Sequence, residues 1–171
     1  REEIDRVLEN ITMLSDTTAL ANSLALTDEL VSHGELMSTL LFVEILRERG
    51  VNAEWFDVRK VMRTSDRFGR AEPQVAELQT LAAAQLQPRI AEALVVTQGF
   101  IGSESKGRTT TLGRGGSDYT AALLGEALQA ERIDIWTDVA GIYTTDPRVV
   151  PAARRIEEIT FEEAAEMAIF G

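Results

Sequence analysis

From Gly99 to Asp118 the chain reads Gly-Phe-Ile-Gly-Ser-Glu-Ser-Lys-Gly-Arg-Thr-Thr-Thr-Leu-Gly-Arg-Gly-Gly-Ser-Asp. Just before it, Val95 and Val96 sit in an apolar run that reads as a buried strand. Just after it, Tyr119 to Leu128 reads as a helix. A glycine loop that feeds a strand into a helix N-terminus exposes backbone N–H groups, and the helix dipole adds partial positive charge there. Such a loop holds a phosphate or a carboxylate. Gly113, Gly115 and Gly116 are more glycines than a solvated turn requires, and they predict a close backbone approach. Arg114 adds a planar fork for bidentate pairing with an anion. Asp118 follows in the first helical turn, where the bland alternative is simple complementation of the dipole.

Composition narrows the chemistry. The 171 residues suffice for one domain with a substantial core. There are no cysteines and one histidine, His33, so disulfides, thiolate metal sites and multi-histidine metal sites are excluded and no protein-bound metal is expected. The absence of cysteine fits a cytoplasmic protein. No run approaches a membrane span, and the net charge of -11 disfavours nucleic acid and anionic membranes as partners. That same charge repels a nucleotide, so local cations must compensate. Lys106, Arg108 and Arg114 lie in the loop region, and Arg148 follows later.

Periodicity predicts a helix over 1–20, with Ile4, Val7, Leu8, Ile11 and Leu14 on one face. A second helix is expected from Thr27 as N-cap to about Arg49, with Asp28 and Glu29 suited to its dipole and Gly50 closing it. Val51 to Val58 reads as a strand, 63–73 as a loop, and 73–87 as a helix. Ser105 to Leu112 reads as a hairpin. A helix over 117–130, a strand over 133–137 and a capped helix from Thr160 to Phe170 complete the chain. Helices alternating with short apolar strands indicate an α/β layered domain with a mainly parallel sheet. Within the second helix, Glu35 shares a face with Val31, Ser38 and Phe42, and Gly34 beside it suggests that something approaches closely.

Three stretches in order carry a resemblance: 31–38, Val-Ser-His-Gly-Glu-Leu-Met-Ser; 113–121, Gly-Arg-Gly-Gly-Ser-Asp-Tyr-Thr-Ala; and 136–148, Trp-Thr-Asp-Val-Ala-Gly-Ile-Tyr-Thr-Thr-Asp-Pro-Arg. The chain resembles the aspartokinases of the amino-acid kinase family, most strongly the lysine-sensitive bacterial type. The resemblance implies a three-layer αβα sandwich and transfer of the ATP γ-phosphoryl group to the side-chain carboxylate of L-aspartate. In the family that reaction opens the pathway to lysine, threonine and methionine. It implies that Glu35 meets the substrate ammonium and that Arg114 takes a carboxylate. Ser117 and Asp118 would lie near the reacting centre, with Arg114 and Asp118 as the catalytic pair. Phe100 would wall the pocket, and Gly113, Gly115 and Gly116 would form the phosphate loop. Thr137, Asp138, Tyr143 and Arg148 would belong to the ATP pocket, with magnesium arriving on the nucleotide, and the parent would be a homo-oligomer. Asp146 reads instead as a turn residue before Pro147.

The chain also departs from the family pattern. The Lys-Phe-Gly-Gly-Thr-Ser motif does not occur in it, nor do C-terminal regulatory domains, so residues 1–171 are expected to be part of a catalytic domain and inactive alone. Two other readings remain open here. One is a different amino-acid kinase acting on glutamate, acetylglutamate or a nucleoside monophosphate. The other is a noncatalytic anion- or nucleotide-binding module.

Overall fold

A computed structural model describes residues 2–21, 23–138 and 140–170. Arg1, Val139 and Gly171, which fall in stretches read above, lie outside the described residues. Contacts divide the chain into two compact units, 1–133 and 134–171.

The first unit opens with helices α1 (Glu2–Ala21) and α2 (Leu24–Glu48). Helix α2 begins earlier than expected. Ser23, not Thr27, is its N-cap, and the Thr27 hydroxyl donates back to the Ser23 carbonyl at 3.2 Å inside the helix. Its far end matches the expectation, with Gly50 in the left-handed region (φ 79°) and its N–H on the Arg47 carbonyl. Strands β1 (Ala53–Phe56) and β2 (Leu94–Thr97) pair in parallel, Ala53 opposite Leu94 through Phe56 opposite Thr97. The crossover between them runs through α3 (Val75–Leu81), a π-helical turn (Ala82–Leu86) and α4 (Gln87–Ile90). Helical structure therefore continues past 87. The widened turn leads into Pro88, which lacks an N–H and cannot continue an α ladder unaided.

Strands β3 (Ile101–Ser103) and β4 (Thr109–Thr111) form an antiparallel hairpin, and α5 (Gly116–Ala127) follows. The predicted hairpin holds, but its first strand lies earlier in the chain than Ser105. The turn between the strands closes on one carboxylate, since Glu104 accepts the N–H groups of Lys106 and Arg108 at 3.0 Å each. Leu36, Phe56, Val58, Val61, Met62, Leu78, Leu86, Ile101, Leu123 and Leu124 form the buried core. The class is α/β, as read from the sequence. In this chain the sheet is reduced to one parallel and one antiparallel pair among the described residues.

The second unit contains helix α6 (Phe161–Phe170) after an irregular stretch. The capping box forms as expected: the Glu163 N–H donates to the Thr160 hydroxyl at 3.2 Å, and the Thr160 N–H to the Glu163 carboxylate at 2.9 Å. The strand expected over 133–137 is not formed. A strand needs a partner ladder, and this segment has none among the described residues; Trp136 is 93% exposed.

Candidate active site

Helix α5 creates the site. Its N-cap Gly115 is left-handed (φ 74°), and Gly113 before it has φ 80°. A side chain at either position would be strained. Gly116 serves packing instead, because a Cβ there would come within 2.9 Å of the Phe100 ring. The fold itself thus demands all three glycines, and part of the loop's glycine content reflects protein approaching protein. The Gly116 N–H is turned back onto the Gly113 carbonyl at 3.0 Å. The N–H groups of Ser117 and Asp118, in the first turn, have no intrahelical acceptor.

Eight of the residues singled out above line one open cleft of about 520 Å³: Glu35, Phe100, Gly113, Arg114, Gly115, Gly116, Ser117 and Asp118. Arg114, Ser117 and Asp118 are exposed to it, and Glu35 is half-buried on α2. Neither Arg114 nor Asp118 enters an ion pair among the described residues. One rim therefore offers a free guanidinium and helix N–H groups, and the other offers a carboxylate. Burial raises the Glu35 carboxyl above its ordinary 4.5. A cation bound there would act in the opposite direction, favouring the charged form.

Phe100 is held in a rare backbone state, φ 69°. Two bonds retain it. Its N–H donates to the buried Thr120 hydroxyl at 3.0 Å, and its carbonyl accepts the Leu112 N–H at 2.8 Å. Thr120 in turn donates to the Gly116 carbonyl at 2.7 Å. The aromatic wall and the start of α5 are thereby one rigid piece.

On the other rim, Thr39 receives bonds from the Trp55 indole at 3.0 Å and the buried Gln98 amide at 2.8 Å, and donates to the Glu35 carbonyl at 2.8 Å. At Gly34 the protein itself offers no close neighbour. No protein atom lies within 4 Å of a Cβ placed there, so no packing requirement explains it.

Asp138, Tyr143 and Arg148 line a separate cavity of about 930 Å³ within the second unit. Thr137 does not line it, and its hydroxyl meets the Asp138 carboxylate at 3.3 Å. Arg148 is exposed but not free. Asp146 accepts from its N–H at 2.8 Å and from its guanidinium at 2.8 to 3.2 Å. These bonds hold the Asp146 carboxyl below its ordinary value and raise Arg148. The turn role read for Asp146 is the one seen.

Sequence reasoning missed Asp28, Gln98, Glu104 and Thr120. All four are buried polar residues, and for Asp28, Gln98 and Thr120 a partner lies twenty or more positions along the chain.

A sequence model described as the amino acid kinase family matches residues 2–171. The chain belongs to that family. Among amino acid kinases it is 79% identical to the lysine-sensitive aspartokinase 3 of Escherichia coli (strain K12) over all 171 residues, which cover 38% of that protein. It is 41% identical to an aspartokinase of Chlamydia pneumoniae over 83% of its length and 32% of that relative's. The chain thus spans less than two fifths of these relatives. The crystal structure of E. coli aspartokinase III with aspartate and ADP, an R-state, superposes with a TM-score of 0.97 over the whole chain and 38% of that structure. The T-state with lysine and aspartate gives 0.90 over the same coverage. No described helix is long and apolar enough to cross a membrane.

Proposed function

We propose that the protein carrying this chain is an aspartate kinase. It transfers the γ-phosphoryl group of ATP to the side-chain carboxylate of L-aspartate, forming the acyl phosphate 4-phospho-L-aspartate and ADP. The observation that carries the reading is the convergence of Glu35 from α2 with Arg114, Ser117 and Asp118 at the N-terminus of α5 on one cleft. A free amino acid with two carboxylates needs one anionic and one cationic partner, and this cleft has both. The E. coli relative bound to aspartate and ADP supports the same substrates here.

In this reading Glu35 holds the α-ammonium and Arg114 grips a carboxylate bidentately. The attacking carboxylate is already ionised, so no general base is needed. Catalysis is then positioning and charge stabilisation. The unpaired N–H groups of Ser117 and Asp118 face charge that spreads over the phosphoryl oxygens. Asp118 orients rather than deprotonates. Asp138, Tyr143 and Arg148, with Thr137 beside them, contribute to nucleotide binding, and Arg148 must exchange its Asp146 partner for phosphate oxygens.

Only two acids, Glu35 and Asp118, line the cleft, which is too few for an all-protein cation cage, so magnesium would enter on the nucleotide. When bound it would neutralise charge between phosphate oxygens. We place the protein in the cytoplasm, as a homo-oligomer, with residues 1–171 forming part of its kinase domain.

The test is ATP-dependent hydroxamate formation by the full-length protein with L-aspartate and L-glutamate in parallel. Aspartate-specific product should form, and Arg114→Ala should lower kcat/KM by about a hundredfold or more. Equal product from both amino acids, or none from a folded protein, overturns the reading in favour of another family member or a binding module.

A further inference from the structure

We infer that Asp28 is a positioning residue that sets the span between Glu35 and Arg114, and hence the length of amino acid the site accepts. The inference rests on the aspartate kinase reading above. Asp28 lies on α2 and is 2% exposed. Its Oδ1 accepts the Gly69 N–H at 3.0 Å and the Thr111 hydroxyl at 2.8 Å. Its Oδ2 accepts the Gly69 N–H at 2.9 Å and the Thr111 N–H at 2.9 Å. No cation pairs with it among the described residues. A buried carboxylate held by neutral donors alone is expensive to keep, and its use must lie in the geometry it enforces.

That geometry joins the two rims. Asp28 and Glu35 are seven residues apart, close to two full turns, and so lie on one face of the same helix. On the opposite side, Thr111 precedes Arg114 by three residues, and little freedom separates them. The Leu112 N–H is tied to the Phe100 carbonyl, and Gly113 is locked in its left-handed turn. Gly69, the other group that Asp28 grips, rests its carbonyl 3.2 Å from where a Cβ on Gly113 would stand. The Ala71 N–H also donates to the Thr111 carbonyl at 2.8 Å. One carboxylate on the Glu35 helix therefore fastens both Thr111, at the entry to the turn that presents Arg114, and Gly69, which packs against that turn.

A substrate with its ammonium on Glu35 and a carboxylate on Arg114 must match this span. Aspartate and glutamate differ by one methylene, a change that a fixed site distinguishes by about 10- to 200-fold. A site free to widen loses that ability.

The experiment uses the full-length protein and three variants: Asp28→Asn, Thr111→Val and Thr111→Ser. Thr111→Val keeps shape and backbone N–H while removing the hydroxyl donor, so it decides the question even where Asp28→Asn fails to fold. Rates with ATP are measured for aspartate and for glutamate, with kcat and KM separated and the KM for ATP as internal reference. In Asp28→Asn and Thr111→Val the KM for aspartate should rise about ten- to a hundredfold and the aspartate-to-glutamate preference should fall. The KM for ATP should hold, and Thr111→Ser should behave as the parent. An active parent whose variants lose kcat alone, with the preference unmoved, overturns the clamp and leaves the kinase reading intact. A folded parent that phosphorylates neither amino acid overturns both.

Discussion

The cleft at α5 and the cavity of the second unit are built on different principles. Around the cleft, buried side chains set the geometry through long-range bonds. Asp28 reaches Thr111 across 83 positions, Gln98 reaches Thr39 across 59, and Thr120 reaches Phe100 across 20. In 134–171 no described residue is fully buried. The cavity there is shaped by short-range bonds. Asp146 grips Arg148 two residues on, and Thr144 and Arg154 exchange backbone and hydroxyl bonds across a loop. The first site inherits its shape from the core, so a packing defect in the core should reach it. The second is set by turn chemistry, so single substitutions should change its ligand contacts without unfolding anything.

Gly102 offers the strongest way to break that contrast. A Cβ at this β3 position would stand 2.7 Å from both the Met62 carbonyl and the Thr64 methyl. Backbone cannot yield as a flexible side chain does, so Gly102→Ala should cost about 1–3 kcal/mol in urea unfolding. It should lower activity with the displaced hairpin. Unchanged stability would mean that the hairpin is not packed as tightly as the contacts require. A smaller effect is expected in the second unit. Asp146→Asn removes the charge that neutralises Arg148, so the melting temperature should stay put while ATP affinity changes severalfold. A large loss of stability with no change in ATP binding would contradict the division between the two regions.

The sequence made the cleft legible because its chemistry is local. Gly113 to Asp118 form one continuous motif on a strand-to-helix turn, and helical spacing alone placed Glu35 within α2. Strand 133–137 was misread because apolar alternation says what a segment can do if a partner ladder is present, and none of the described strands offers one. Asp28 was read as a dipole partner, since a sequence shows an acid near a helix start and not the Thr111 hydroxyl beside it. Gly34 is a different case: its cost in a helix suggests that something approaches closely, and no protein atom accounts for it.

Glu104 provides the finest test of how the core reaches the cleft. The Lys106 N–H, followed by the side chain and N–H of Arg108, outweighs the upward push of burial and brings the carboxyl from 4.5 down to about 2. The folded-state value is depressed, so the native state binds fewer protons than the unfolded chain between these limits. Its contribution is complete above about pH 4.5 and disappears as pH falls toward 2. Glu104→Gln should therefore flatten the acid limb of stability against pH in that window and leave its shape at neutral pH unchanged. Glu163 is also held below its ordinary value, by the Thr160 N–H first, but within an exposed cap of the second unit. Glu163→Gln should alter the acid limb less, and chiefly through fraying of α6. Because β4 leads directly from this turn to Thr111, the Glu104 variant should also shift the KM for aspartate slightly at neutral pH, where the parent carboxyl is charged, and the Glu163 variant should not. Equal effects of the two substitutions on that KM would show that the hairpin turn is insulated from the site.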